Sequence, residues 1–298
     1  MIAMVLVSGR RLGVLLAVAL ACGAVGAAAQ SAFPGAVAAH LYWTNYDGSK
    51  VVEADLNGTH AKTIASDKPY SPAGIAVGDG HLYWVNVATG ASSKATIVEA
   101  DLNGTHAKTI ARFQYTLTNG AVTVAVSSSH LYWTAASGIV EADLNGTHAK
   151  NIAKTPTGSI GVAVGGAHLY WGVQGPVSAS SALDNGKVVE ADLNGTHAKT
   201  IAKDQYDLSG VAVGSHHLYW AQLEGRIFEA DLNGTHAKTI AHAGAFGSAG
   251  AMAVGRRNLY WASTTASSTI FEADLNGAHA KKIVHVHSGI LDGLAVAP

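Results

Sequence analysis

Between positions 74 and 111 the chain reads Gly74-Ile75-Ala76-Val77-Gly78, Asp79-Gly80, His81-Leu82-Tyr83-Trp84-Val85-Asn86, then Ile97-Val98-Glu99-Ala100-Asp101-Leu102, Asn103-Gly104 and Ala107-Lys108-Thr109-Ile110-Ala111. A short apolar run, a glycine turn, an aromatic run, a β-favouring run, a second turn and a closing run predict four antiparallel strands. Asn-Gly between two extended runs predicts a two-residue hairpin in which both residues take positive φ.

The same order recurs along the chain. Leu-Tyr-Trp stands at 41–43, 82–84, 131–133, 169–171, 218–220 and 259–261, and Glu-Ala-Asp-Leu-Asn-Gly begins at 53, 99, 141, 190, 229 and 272. A unit of about 44 residues cannot bury its apolar face alone and must stack on its neighbours. Six four-stranded units with an aromatic fixed in the second strand predict an all-β, six-bladed β-propeller of four-stranded antiparallel blades. Six runs supply the inner strands: Gly74–Val77, Val122–Val126, Gly161–Val164, Gly210–Val213, Ala251–Val254 and Gly293–Val296. The last has no Leu-Tyr-Trp after it, so Gly293–Ala297 is expected to pair with His40–Thr44 and close the first blade. Ala36–Ala39 competes for that place but lacks the spacing turn.

Runs such as Leu-Tyr-Trp-Val-Asn at 82–86 and Ile-Val-Glu-Ala-Asp-Leu-Asn-Gly-Thr-His-Ala-Lys-Thr-Ile at 97–110 resemble the YWTD (class B) repeat of the low-density-lipoprotein receptor family. The resemblance covers about 35–297 and implies a six-bladed propeller with a habit of extracellular protein binding. The family's Asp after Tyr-Trp-Thr is replaced by Asn45, Asn86, Ala135, Val173, Gln222 and Ser263, and its Arg after the turn by Ala61 and equivalents. Receptor-type ligand recognition therefore does not carry over.

Residues 1–29 differ in kind: Arg10 and Arg11, an apolar run from Leu12 to Val25, then Ala27-Ala28-Ala29. This order predicts a secretory signal peptide over 1–29 ahead of a single propeller domain over 30–298, and hence a secreted or envelope-exported protein with no transmembrane span in the mature chain. The one cysteine, Cys22, lies in this segment, so cleavage leaves neither disulfide nor thiol. A lipoprotein anchored through Cys22 is the alternative. Removing the segment leaves 17 basic against 20 acidic side chains, which argues against nucleic acid as a partner.

Most polar residues belong to the repeat. The tryptophans Trp43, Trp84, Trp133, Trp171, Trp220 and Trp261 occupy one position per unit and are expected to fill the gaps between blades. Glu53 with Asp55, and the five equivalent pairs, are expected to hydrogen-bond at hairpin ends. The repeated histidines are expected to be solvated turn residues. His285 and His287 form a non-repeated pair, yet two imidazoles do not make a metal site. Asn57, Asn103, Asn145, Asn194 and Asn233 satisfy the glycosylation sequon, but the turn itself explains Asn and Gly there. No cofactor, metal ligand set or catalytic residue is expected.

Sequence variation is confined to connections that an up-down blade places on one face: 66–73, 85–96, 112–121, 154–160, 172–187, 203–209, 242–250, 262–269 and 285–292. They carry the aromatic residues Tyr70, Phe113, Tyr115, Tyr206 and Phe246, with Asp67, Lys68, Asp204, Asp207 and Glu224 among them. Aromatics with scattered charges are the material of a recognition surface for a protein or glycan ligand bound by a monomer. The alternatives are a lactonase-type hydrolase or lyase with its site at the channel mouth, or an envelope scaffold without a specific ligand. A channel-mouth site would draw on the starts of the inner strands, Ala73, Val122, Ile160, Ser209, Gly250 and Asp292, with Asn119 nearby.

Overall fold

The computed structural model describes residues 39–88, 93–115, 122–155, 158–175, 186–206, 208–222, 224–242, 249–263, 268–286 and 289–297. Their strands form six four-stranded antiparallel sheets. The inner strands are Leu291–Val296, Tyr70–Gly78, Val124–Val126, Ser159–Gly165, Leu208–Val213 and Ala249–Val254, counted as blades 1 to 6, and each lies against the inner strands on either side. The ring is thus a closed six-bladed propeller. Blade 1 is completed from both ends of the chain: Leu41, Tyr42, Trp43 and Thr44 pair with Val296, Ala295, Leu294 and Gly293, as the unmatched last run predicts.

The two-residue period of a strand explains the Leu-Tyr-Trp repeat. Leu and Trp point to one face of the sheet and Tyr to the other. Accordingly Leu82 and Trp84 of blade 2 pack with Tyr42 and Val51 of blade 1, while Tyr83 packs with Trp133 of blade 3. Six such clusters, one per blade interface, make up the core, and the tryptophans are the inter-blade packing expected of them. Trp220 stacks on Phe228 at 5.3 Å and Trp261 on Phe271 at 5.5 Å. Two indoles are also held by the preceding blade's connection: Trp84 Nε1 donates to Asp67 Oδ2 and Trp220 Nε1 to Gln205 Oε1, both at 2.7 Å.

The Asn-Gly turn differs from the expected two-residue hairpin. Asn57 does not take positive φ; Gly58 (φ 81°) and His60 (φ 53°) do, and the same two positions do so in all six blades. The connection is longer than two residues: the pair nearest it is Glu53 with Lys62, and within it the Gly58 amide donates to the Asp55 oxygen and the Asp55 amide to the Thr59 oxygen. Beyond it the outer strand carries a bulge, Ile64, Ile110, Ile152, Ile201, Ile240 and Ile283 each being an extra residue opposite the third strand. Asn57 contributes its side chain instead, Oδ1 accepting from the Thr59 amide (3.0 Å) and hydroxyl (2.7 Å).

The bulge also joins the blades. A Cβ on Gly104 of blade 2 would sit 2.3 Å from the carbonyl oxygen of Ile64 in blade 1, and Gly58, Gly146, Gly195, Gly234 and Gly277 each meet the bulged isoleucine of the preceding blade at 2.2–2.3 Å. The constant hairpin is therefore a clasp between neighbouring sheets. It is repeated because every interface needs one.

Within each clasp the aspartate is the hub. Asp101 Oδ2 accepts from the Thr105 hydroxyl at 2.9 Å and lies 2.6 Å from His106 Nδ1. Hydrogen bonds from histidine, then threonine, hold Asp55, Asp101, Asp143, Asp192 and Asp231 below the usual carboxylate range. A lowered folded-state value means stability that is present above the unfolded pKa of about 4 and lost as pH falls through the folded value. Asp101→Asn should accordingly lower the melting temperature at pH 7, with the effect shrinking as pH falls below about 4; an effect that is the same at pH 7 and in strong acid would show that the turn does not depend on the charge.

Two residues inward, the repeated glutamates bridge three strands. Glu53 meets Lys62 Nζ at 3.0 Å and His40 Nδ1 at 2.9 Å, and Lys–Glu pairs of 3.0–3.3 Å recur in all six blades. The histidines before Leu-Tyr-Trp are thus half-buried partners of a glutamate rather than freely solvated turn residues. Those after Asn-Gly are exposed, as expected, but engaged by aspartate.

Candidate functional site

With the repeat consumed by packing, chemistry is left to the channel mouth and the variable rim. At the mouth the inner strands approach so closely that side chains are excluded. A Cβ on Gly74 would lie 2.6 Å from Thr123 Cα, one on Gly210 2.7 Å from the Gly250 oxygen, and one on Gly293 2.7 Å from the Ala73 oxygen. Thr123 occupies the corresponding position in blade 3, where its hydroxyl accepts from the Val162 amide of blade 4 at 3.0 Å.

Functional side chains can enter only one step earlier, and β-bulges put them there. Thr44 pairs with Gly293 but Asn45 with Leu291, leaving Asp292 as the extra residue; Ala221 pairs with Gly210 but Gln222 with Leu208, leaving Ser209. Such bulges re-aim a side chain. Asp292 and Ser209 both line a cavity of about 250 Å³ at the channel mouth, flanking Gly250 of the intervening blade, with Thr123 and Gln174 on the same cavity and Ile75, Ile160, Leu208 and Met252 in its wall.

Asp292 reaches the lumen yet is ringed by protein. Burial alone pushes its carboxyl up to about 6. The rise of about two units from 3.8 means that ionising it in the fold costs about 3 kcal/mol more than in the unfolded chain. A raised acid binds protons that the unfolded chain has released, so this contribution falls as pH rises from about 4 to about 6 and then levels off. Asp292→Asn should therefore raise unfolding free energy by roughly 2–3 kcal/mol at pH 7 and leave it unchanged near pH 4. Denaturant titrations at the two pH values check this, and a destabilised variant at pH 7 would show that the carboxylate has a stabilising partner.

The rim residues separate on inspection. Tyr70 is 44% exposed, at the start of the blade 2 inner strand, and borders a groove of about 430 Å³ with Lys94, Arg112 and Phe113. Tyr70 and Phe113 are strand residues, not loop residues, because blade 2 runs longer than the others, with strands Tyr70–Gly78, His81–Ala88, Lys94–Asp101 and Lys108–Gln114. Phe113 is half-buried, 5.7 Å from Trp133. Tyr115 is only 5% exposed; its amide donates to the Ser93 oxygen and its ring joins the cluster around Trp133, so it offers no contact surface. Tyr206 is half-buried at the end of the blade 4 outer strand. Phe246, Asp207, Asn119 and His287 lie outside the described residues. Of the charged residues, Asp67 is spent on Trp84 and Glu224 pairs with Arg226 at 3.2 Å. Sequence reading missed Ile290, 47% exposed just before the blade 1 inner strand; a lone large apolar residue in a variable connection was its only signal.

No protein-family model matches the chain, and no curated protein does. Among solved structures it is similar to TolB from Acinetobacter baumannii, with a TM-score of 0.65 and 13% identity, over 87% of this chain and 66% of the TolB chain. That likeness is one of fold. As many as 1044 solved chains match, so the architecture alone does not select a function. Among the described residues no helix is long and apolar enough to cross a membrane.

Proposed function

We propose that this chain is an exported propeller of YWTD-repeat type that binds a protein or glycan partner through the face bearing the variable connections. The observation that carries the reading is where exposed apolar surface falls. Among the described residues the large exposed hydrophobics are Tyr70 and Ile290, and both stand at the entrances of inner strands on that face, in adjacent blades. The groove beside Tyr70 adds Arg112, and tyrosine and arginine are among the side chains enriched at interface hot spots. The opposite face presents the clasp turns, in which the aspartate, asparagine, threonine and histidine side chains bond to one another. The segment 1–29 has the order of an export signal.

The reading is tested at two positions on opposite faces. A photo-crosslinking residue at Lys94, in the groove beside Tyr70, should capture a discrete partner that the same residue at His106 does not, and adding Tyr70→Ala should weaken that capture about tenfold or more, as loss of an interface aromatic does. Equal capture at both positions would sink the proposal. The second reading, a hydrolase or lyase at the channel mouth, has Asp292 in its favour and would instead show turnover abolished by Asp292→Asn with capture at Lys94 absent.

A further inference from the structure

We propose that the channel mouth is a binding site for a primary alkylammonium group, its charged head seated at Asp292 and its hydrocarbon stem against the apolar channel wall. The site does not rest on the rim surface proposed above, since among the described residues it is lined by the inner strands and Gln174 and shares no residue with the groove beside Tyr70.

Three observations carry it. First, Asp292 has no hydrogen-bond or ion-pair partner among the described residues, although the cavity it borders is ringed by six inner strands. The residue is partly exposed to the lumen, and a carboxylate crowded by protein and left unpaired in a cleft marks a place where a ligand completes the pairing. Second, two bulges in separate blades aim Asp292 and Ser209 at the same space, and Gly250 between them leaves that sector of the ring free of side chain. Third, Asp292 is the one titratable residue lining the cavity among the described residues; the strands facing it contribute Thr123, Ile160, Ser209 and Met252, none of which carries charge.

A site with one negative charge matches a single positive charge. A divalent cation needs several oxygen ligands with more than one carboxylate, and no group of three or more His, Cys, Asp or Glu capable of holding a metal occurs among the described residues. A guanidinium wants a planar fork of acceptors. An ammonium is a compact head with three donors that can use a carboxylate and a hydroxyl on different strands, and its stem gains from contact with Ile75, Ile160, Leu208 and Met252. A cavity of about 250 Å³ holds a four-carbon stem and its head group. The source is either a free small amine or a lysine side chain presented by a partner, and the two share this chemistry.

Because burial holds the Asp292 carboxyl near 6, an ammonium must compete with a proton below that value. The test uses the full chain with n-butylamine and with Nα-acetyl-lysine methylamide, each titrated by saturation-transfer NMR at pH 7.5 and pH 5, with n-butanol as neutral isostere and calcium chloride as competitor. The expected result is saturable amine binding at pH 7.5, weaker by about tenfold at pH 5, where only about a tenth of a carboxyl of pKa near 6 is ionised. Asp292→Asn should weaken it by about thirtyfold or more. Binding of both amines supports a peptide-borne lysine as a sufficient source; binding of butylamine alone supports a free amine. The proposal is overturned if neither amine saturates the folded protein, if Asp292→Asn or pH 5 leaves affinity unchanged, if butanol binds equally, or if calcium displaces the amines at lower concentration than they bind.

Discussion

Deletion of residues 291–298 will abolish the cooperative melting transition and drive the chain into aggregates. An open repeat array loses a terminal unit and keeps the rest, because each unit contacts only its neighbours. A closed ring has no spare end. The deleted strand places Leu291 and Leu294 in the cluster between blades 6 and 1 and Ala295 in the cluster between blades 1 and 2, all buried. Loss of either leucine beyond Cβ would by itself cost about 2–5 kcal/mol, a large part of the 5–15 kcal/mol that holds a typical domain together. The deletion also bares the backbone of His40–Asn45, whose pairing with Leu291–Val296 in the intact ring covers it. An unpaired apolar edge recruits strands from other chains. Dye binding and light scattering at 25 °C report the aggregation, and a synthetic peptide spanning 289–298 added in trans should restore the transition. A truncated chain that stays monomeric and melts unchanged would mean that blade 1 does not depend on the C-terminal strand.

The ring was readable because its determinants are local and repeated. Alternation of Leu and Trp with Tyr assigns faces without knowledge of partners, and the unmatched run Gly293–Val296 identifies the closing strand. What could not be read depends on register between strands. Asp292 and Ser209 are legible as channel-mouth positions from their place at the starts of inner runs, and both line the cavity there; that each is a bulged residue follows only from the pairing of Asn45 with Leu291 and of Gln222 with Leu208. Tyr115 shows the same limit from the other side. Its place after the Lys108–Gln114 strand marks it as a loop aromatic, but the chain returns beneath Ser93 and carries the ring inward. The Asn-Gly turn departs from a two-residue hairpin for a related reason: strand pairing resumes only at Glu53 with Lys62, and Asp55, Thr59 and His60 close the turn through side-chain bonds that a short-range hairpin signal does not register.

The clasp itself can be weighed with two glycines of the same blade. Gly80 and Gly104 both take positive φ, 74° and 82°, but a Cβ on Gly80 meets nothing within 4 Å, whereas one on Gly104 would press to 2.3 Å from the Ile64 oxygen of the neighbouring blade. Gly80→Ala therefore measures the backbone penalty alone, about 1–2 kcal/mol for an L-residue in the left-handed region. Gly104→Ala adds a collision with main chain that cannot rotate away, so the hairpin must lift off blade 1 and surrender the packing between Gly104 and the bulged isoleucine. The expected destabilisation is about 3–5 kcal/mol, a drop in melting temperature of roughly 10 °C for a chain of this size. The difference between the two variants isolates the clasp, since both remove the same conformational freedom from the unfolded chain. Gly58→Ala should match Gly104→Ala, because Gly58 holds blade 1 to Ile283 of blade 6 by the same contact and the ring has no weaker joint at its closure. If Gly80→Ala and Gly104→Ala melt alike, the repeated hairpin serves only to reverse the chain, and the cohesion of the blades must come from the tryptophan clusters alone.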